Sequence, residues 1–122
     1  MESETPRVSV CIPVFNGARF IAAAIESVLR QTFTDFELII VDDHSSDRSL
    51  EIISGFHDDR LRVVVNERNL GAEGNWNRCL TESKGIYLKL LPQDDVLAPT
   101  CLAKQVAVLD QDAEKRIALV FC

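Results

Sequence analysis

The sequence has no long hydrophobic run, and no segment approaches the roughly 18 uninterrupted apolar residues of a membrane-spanning helix. Its start, MESETPR, is polar and acidic, so it lacks the apolar centre of a secretory signal. We therefore predict a disordered lead-in over residues 1–7, followed by a cytoplasmic globular domain over residues 8–122.

Positive charge is also scarce, since 13 Lys and Arg residues stand against 19 Asp and Glu residues, for a formal net charge of -6. Binding to the phosphate backbone of a nucleic acid requires a basic face. The charge balance therefore argues against nucleic acid as a partner. It also gives no sign of a surface that binds anionic lipid.

Several motifs of common enzyme classes are missing. The sequence has no GxGxxG after its first apolar run and no GxxxxGK[ST], so neither a dinucleotide site nor a P-loop is indicated. It has no GxSxG, which argues against a hydrolase with a nucleophile elbow.

The four cysteines form no CxxC pair and have no histidine cluster beside them. A structural zinc site needs such a pattern. We predict four reduced thiols, as is usual in the cytoplasm. These are Cys11, Cys79, Cys101 and Cys122.

What the sequence does contain is a regular alternation of short apolar runs and amphipathic segments. This alternation predicts a single α/β domain with a mostly parallel, Rossmann-like sheet, right-handed crossovers and helices on both faces. The last predicted strand would leave an open edge, and open edges favour pairing with a second chain, so a homodimer is an expected assembly. The predicted strands cover residues 8–12, 37–41, 61–65, 86–91 and 117–121. The second predicted helix ends at about residue 56, and the third runs from about residue 75 to residue 83.

An acidic pair, Asp94 and Asp95, follows the fourth predicted strand. If that strand is parallel to its neighbours, the pair lies at the carboxyl edge of the sheet, where open α/β sheets bind their ligands. Adjacent carboxylates suit Mg²⁺ or Mn²⁺, which prefer oxygen ligands and often share them with a substrate phosphate. A solvated acidic turn is the alternative interpretation.

Two further loops should lie on the same rim. After the first strand, Phe15 could stack on a flat base and Asn16 could hydrogen-bond to it, although a core phenylalanine and a helix-capping asparagine are the alternative. After the second strand, Asp43 could accept a hydrogen bond from a base or a ribose hydroxyl, or it could cap the next helix. The neighbouring polar loop adds Asn69, Gly71 and Asn77 to the predicted cleft.

Taken in order, these residues resemble the inverting nucleotide-sugar glycosyltransferases of family 2, which have the GT-A fold. The resemblance runs from residue 8 to residue 122. Its pieces are VSVCIPVFN (8–16), AIESVLRQT (24–32), FELIIVDDHSSD (36–47), NLG (69–71) and QDDVL (93–97).

The resemblance implies a role for each matching position. Pro13, Phe15 and Asn16 would hold the base, and Asp43 would bind the base or ribose. Asp94 matches the second acid of the family's DxD motif, so it would hold a Mg²⁺ or Mn²⁺ ion that bridges the diphosphate, with Asp95 as a further ligand. The predicted nucleotide-binding set is Pro13, Phe15, Asn16, Asp43, Asn69, Asn77 and Asp94.

The chain departs from the family pattern at three positions. Phe15 stands where the family usually has tyrosine, and Pro92 stands where the first acid of DxD would be. Trp76 stands where the family more often has an arginine that could reach the phosphate.

The resemblance also implies a reaction. Family enzymes transfer a sugar from a nucleoside diphosphate to a hydroxyl, with inversion, and the carboxylate that deprotonates the acceptor lies in a second half. We therefore expect this chain to be the donor-binding half, poorly active alone, with no catalytic base of its own. A glycan or lipid-linked acceptor implies cell envelope polysaccharide biosynthesis, in the cytoplasm or at the inner face of the membrane. The alternative is a non-catalytic nucleotide-binding or self-assembling module of the same fold.

Overall fold

The computed structural model of the protein describes residues 5–111. Four strands and four helices alternate along this part of the chain, and none of these helices is long and apolar enough to cross a membrane. The strands are β1 (Val8–Val14), β2 (Phe36–Asp42), β3 (Leu61–Val65) and β4 (Tyr87–Leu90), and the helices are α1 (Ile21–Leu29), α2 (Ser49–Ile53), α3 (Gly71–Glu82) and α4 (Cys101–Asp110).

The four strands form one sheet in the order β3-β2-β1-β4, and every neighbouring pair is parallel. The predicted α/β fold with a parallel sheet is therefore confirmed. Because all strands run the same way, the loops that follow them meet at one edge of the sheet. The predicted fifth strand, over residues 117–121, lies outside the described residues.

The two central strands explain why the apolar runs are continuous rather than alternating. On one face, Val10 and Ile12 pack in a cluster with the buried side of α1. On the other face, Cys11 and Ile39 pack against Cys79 of α3. A strand buried on both faces is apolar at most of its positions rather than at every second one. Helices thus lie on both faces, as predicted.

β1 continues two residues past its predicted end at residue 12, through Pro13 to Val14. Leu91 donates its backbone N–H to the carbonyl of Cys11, so alternate residues of β1 face β4, and Pro13 is one of them. The pairing of β4 with β1 ends at Cys11. No partner strand lies beside Pro13 on this side, so its missing N–H costs no hydrogen bond of the sheet.

The two middle helices begin and end differently from the prediction. α2 is short and ends at Ile53, before the predicted Phe56. α3 begins at Gly71, four residues before the predicted start at Asn75. Gly71 has a φ of 84°, a left-handed conformation that glycine adopts without a steric penalty.

The prediction of four reduced thiols holds for two cysteines and is wrong for a third. Cys11 and Cys79 are free thiols. A hydrogen bond with Cys79, and then burial, raise the pKa of Cys11 far above its ordinary value, which keeps this thiol unreactive. Cys101 is disulfide-bonded. Sequence spacing could not reveal this bond, because a disulfide depends on which residues the fold brings within reach.

Candidate functional site

A cleft of about 450 Å³ opens at the carboxyl edge of the sheet. The loops after all four strands and the first turns of α3 form its walls. This is the edge at which an open parallel sheet offers its loops to a ligand. The lining residues are Pro13, Phe15, Asp43, Asn69, Gly71, Ala72, Asn75, Trp76, Pro92 and Gln93.

Only part of the predicted site lines this cleft. Four of the predicted nucleotide-binding residues do so, and the rest of the predicted set lies outside the lining. Asn75, Trp76 and Gln93 are lining residues that the sequence did not single out as ligand contacts. Of the residues predicted to bind nucleotide or metal, the cleft is lined by Pro13, Phe15, Asp43 and Asn69. Outside its lining are Asn16, Asn77, Asp94 and Asp95.

Asp43 organises the cleft although it is only 2% exposed. Its Oδ1 accepts hydrogen bonds from the backbone N–H of Leu70 at 2.7 Å and from Asn66 Nδ2 at 2.9 Å. Its Oδ2 accepts from the backbone N–H of Gly71 at 3.0 Å. From the loop after β2, the carboxylate therefore caps the start of α3, where negative charge is favourable.

This capping leaves the Asp43 carboxylate with unused capacity. A carboxylate has about four acceptor positions. Three are occupied, two of them on Oδ1 and one on Oδ2, by donors from Asn66, Leu70 and Gly71. One position on Oδ2 remains for a ligand donor, and Asp43 belongs to the cleft wall. The predicted capping role of Asp43 is thus real, but it serves α3 rather than α2.

A buried amide network fixes Asp43 from behind. Asn66 Nδ2 also donates to Asn75 Oδ1 at 2.9 Å, and Asn75 Nδ2 donates to the carbonyl of Val41 at 3.1 Å. Asn66 and Asn75 are 1% and 3% exposed. Among the described residues no buried side-chain polar atom lacks a partner. Because every polar group in this network has a partner, the network holds the side chains of Asp43, Asn66 and Asn75 in a single arrangement.

Asn16 joins the loops after β1 and β2. Its Oδ1 accepts from the backbone N–H of Ser46 at 2.8 Å, and its own N–H donates to Ser45 Oγ at 2.9 Å. Ser45 in turn donates its N–H and hydroxyl to the buried Asp42. Asn16 and His44 adopt left-handed backbones, with φ of 51° and 61°. Such conformations concentrate where loop geometry is held for function.

The structure excludes the purely structural interpretations of Phe15 and Asn16. Phe15 is 47% exposed, so it is not a core residue. Asn16 makes no capping bond to α1, because that helix has no side-chain cap. At the start of α2 the backbone N–H of Ser49 bonds to Asp47 instead. The hydrogen bond from the Ser49 hydroxyl is the main reason why the pKa of Asp47 lies below its usual range.

Gln93 closes the cleft on the side of β4. Its side-chain amide hydrogen-bonds to the backbone of Phe15, so it ties the loop after β4 to the loop after β1. Pro92, directly before it, contributes an apolar surface to the same wall. The two residues therefore shape the wall that faces α3.

Asp94 and Asp95 lie exposed in the turn after β4. Asp95 Oδ1 accepts from the backbone N–H of Val96 at 2.9 Å, and no group of three or more His, Cys, Asp or Glu residues that could hold a metal occurs within residues 5–111. Mg²⁺ and Mn²⁺ need only one or two protein carboxylates when waters and substrate phosphates supply the rest. The pair therefore fits an ion that binds together with a phosphorylated substrate.

The cleft wall carries negative charge and no positive charge. Its lining contains one carboxylate, Asp43, and no Lys, Arg or His. The nearby cation Lys89, on β4, does not line the cleft, and it interacts electrostatically with Asp95. Burial lowers the pKa of Lys89, and the charge of Asp95 opposes that shift.

The sequence and the fold both match known proteins. The family model described as Glycosyl transferase family 2 matches residues 9–118. The putative glycosyltransferase EpsE of Bacillus subtilis is 36% identical over 109 residues, which cover 87% of this chain and 39% of that protein.

A second curated relative has a more specific name. The Escherichia coli protein UDP-Glc:alpha-D-GlcNAc-diphosphoundecaprenol beta-1,3-glucosyltransferase WfgD is 34% identical over 102 residues, covering 84% of this chain and 40% of that protein. Among solved structures, S. aureus TarS in complex with UDP-GlcNAc superimposes with a TM-score of 0.81 at 28% identity, over 86% of this chain and 31% of that one. The chain thus spans about two fifths or less of the length of these relatives.

Proposed function

Because the chain belongs to glycosyl transferase family 2, we propose that it is the donor-binding half of an enzyme that moves a sugar from a nucleoside diphosphate to a hydroxyl, with inversion. The observation that carries the proposal is the cleft at the carboxyl edge, where an exposed aromatic ring and an acceptor-only carboxylate meet. These belong to Phe15 and Asp43. The match to the GT-A glycosyltransferase TarS in complex with UDP-GlcNAc supports it.

The base would lie against Phe15, with Pro13 and Asn69 beside it in the wall. The free position on Asp43 Oδ2 accepts but cannot donate, so it selects an N–H of the base or a hydroxyl of the ribose. Such a selection has a physical reason. A ligand without that donor would leave the fourth acceptor position of a buried carboxylate unsatisfied, and this costs more than the hydrogen bond is worth.

Asn16 and Asn77 remain predicted nucleotide contacts. Asn16 already uses its side-chain oxygen to accept from the backbone of Ser46. Its amide N–H₂ group is still able to donate to a ligand that extends past the wall. Asn77 is exposed on α3, one position beyond the lining residue Trp76.

Asp94 and Asp95, which directly follow the lining residues Pro92 and Gln93, would hold Mg²⁺ or Mn²⁺. Bound there, the ion supplies the positive charge that stabilises a departing nucleoside diphosphate. The cleft wall itself lacks any basic side chain, so this chain needs such a charge for phosphate binding. The two aspartates would hold that ion, and a nucleoside diphosphate would supply its further oxygen ligands.

No catalytic base is assigned to this chain. An inverting displacement requires a base beside the attacking hydroxyl. The relatives are at least twice as long as the part that matches this chain, and we place the base and the acceptor site in the part that this chain does not cover. The two aspartates after β4 would serve as ligands of the ion rather than as the base.

The acceptor is proposed by analogy with a relative whose name includes a diphosphoundecaprenol-linked sugar. A glycan or a lipid-linked sugar would be the acceptor of this protein as well. With such an acceptor, the reaction would belong to cell envelope polysaccharide biosynthesis. The enzyme would work in the cytoplasm or at the inner face of the membrane, where such a carrier is accessible.

Calorimetry tests the donor site directly. The chain is titrated with UDP, GDP and dTDP, with and without Mn²⁺, and the series is repeated with Asp94→Ala. We expect one nucleotide to bind in a metal-dependent way and the variant to lose that dependence. Asp59→Ala, in the turn before β3 and far from the cleft, is the matched control.

Two results would decide against the proposal. If no nucleotide bound with Mn²⁺ present, the donor site would be refuted and a self-assembling module of the same fold would become the better interpretation. Sedimentation would then test that module, which should stay dimeric at high dilution. If Asp59→Ala weakened binding as much as Asp94→Ala, the site would not involve the aspartate pair.

A further inference from the structure

Trp76 occupies a place in the cleft that packing does not explain. Four residues of α3 line the cleft, and their spacing puts them on one side of the helix. The buried residues of α3 are Asn75 and Cys79, whereas the indole of Trp76 is 42% exposed. The largest side chain of the helix therefore faces the cleft rather than the core.

The electrostatics of this wall select against an anion beside the indole. The cleft lining has no basic side chain. The N–H groups of Leu70 and Gly71, which a phosphate could otherwise use at the start of a helix, already donate to Asp43. A phosphate placed there would be repelled by the charge of Asp43, and these two N–H groups would not be available to bind it.

The shape and polarity of the wall favour a flat, neutral ring. Phe15 reaches the cleft from the loop after β1, and Trp76 reaches it from α3, so the two aromatic rings come from different elements. Pro13, Ala72 and Pro92 complete an apolar lining around them. An aromatic side chain can stack on any nucleobase, because every base offers a π face.

We propose that Trp76 is a base-contacting residue, and that its indole supplies the second aromatic surface against the nucleobase, next to Phe15. This inference rests on the proposed donor site and adds to it a residue that determines affinity for the base. It also assigns the phosphates a place away from α3, towards Asp94. The affinity of the cleft for a base is then independent of divalent ions.

The chain offers a direct probe, since Trp76 is its single tryptophan. Uridine and guanosine, which carry no phosphate, are titrated while the tryptophan emission is recorded without divalent ions. We expect saturable quenching by at least one nucleoside. Ribose 5-phosphate, which has the sugar and phosphate but no base, should leave the emission unchanged.

Variants test the energetic role by calorimetry. Trp76→Leu keeps an apolar side chain without a ring and should weaken nucleoside binding by roughly 5- to 100-fold, whereas Trp76→Phe should retain most of the affinity. Leu80→Ala is the matched control, since Leu80 lies one turn further along α3, is 53% exposed and does not line the cleft. Circular dichroism verifies that each variant is folded.

Each outcome separates this inference from the donor site itself. If UDP with Mn²⁺ binds but Trp76→Leu binds it equally and the emission does not change, the inference is overturned while the donor site stands. If ribose 5-phosphate quenches as strongly as uridine, the indole meets the sugar phosphate and the inference is again wrong. If no nucleotide or nucleoside binds the unaltered chain, both proposals fail. The emission experiment decides even if Trp76→Leu does not fold.

Discussion

The side-chain amide of Gln93 holds both backbone groups of Phe15, although 78 positions separate them in the sequence. Gln93 Oε1 accepts from the Phe15 N–H at 2.8 Å, and Gln93 Nε2 donates to the Phe15 carbonyl at 3.2 Å. The Gln93 side chain therefore connects Phe15, the proposed stacking partner of the base, to the turn that contains Asp94. Movement of either loop must break or carry along this pair of bonds.

Replacing this amide should loosen the cleft more than it destabilises the fold. Gln93→Ala removes both bonds to Phe15, and the site is partly exposed, so we expect a loss of about 1 kcal/mol in the free energy of unfolding. Nucleotide affinity should fall by roughly tenfold, because Phe15 is no longer fixed before binding. Urea denaturation and calorimetry measure the two effects. Equal affinity in Gln93→Ala would contradict the role assigned to this pair of bonds.

Gly17 is required for the approach of Gln93. A Cβ at Gly17 would lie 2.6 Å from Gln93 Oε1, closer than atoms can approach, so Gly17→Ala should displace the amide. We expect a loss of about 1–2 kcal/mol in stability.

Gly55→Ala is the matched control for this substitution, since a Cβ there meets only Ile52 O at 3.4 Å. The double variant Gly17→Ala with Gln93→Ala should lose less stability than the sum of the two single variants, because both remove the same bonds. Additive losses in urea denaturation would show that the two residues act independently.

Asp43→Asn keeps the size of the side chain but removes the charge that caps α3. The amide can satisfy fewer of the three donors from Asn66, Leu70 and Gly71, and hydrogen bonds to a charged group are the stronger ones. We expect a loss of about 2–4 kcal/mol in the free energy of unfolding and no measurable nucleotide binding. The control Asp59→Asn should stay within about 0.5 kcal/mol. A fully stable Asp43→Asn in urea denaturation would refute the capping role.

Asp58 predicts a defined acid sensitivity. The hydrogen-bonded pairing with Arg60 lowers the pKa of Asp58 to about 2. A carboxylate with a lowered pKa in the folded state stabilises the protein at neutral pH and loses that contribution as pH falls through its folded value. The loss should therefore occur between about pH 4 and pH 2 and amount to about 1–2 kcal/mol.

Asp58→Asn isolates this contribution. Other carboxylates also have lowered pKa values, so the measured quantity is the difference between the two proteins in urea denaturation at each pH. That difference should be largest near neutral pH and shrink towards pH 2. A difference that stayed constant with pH would mean that Asp58 contributes through packing and not through its charge.

Much of the fold followed from local patterns. The apolar runs located all four strands of the described region, and the order of strands and helices predicted a parallel sheet with both faces covered. The parallel direction then placed the loops after all four strands at one edge. For that reason the sequence alone could place Phe15, Asp43 and Asn69 at one cleft.

The sequence by itself thus determined which segments are strands and which polar residues follow them, because hydrophobic periodicity and turn residues act over a few positions. Only the tertiary structure decided how those polar groups are used. Asp43 caps a helix that begins 28 residues later, and Gln93 bonds to Phe15 across 78 positions. Hydrogen bonds between distant segments leave no periodic trace in the sequence, so the start of α3 and the exposure of Trp76 became visible only once the sheet had brought their partners together.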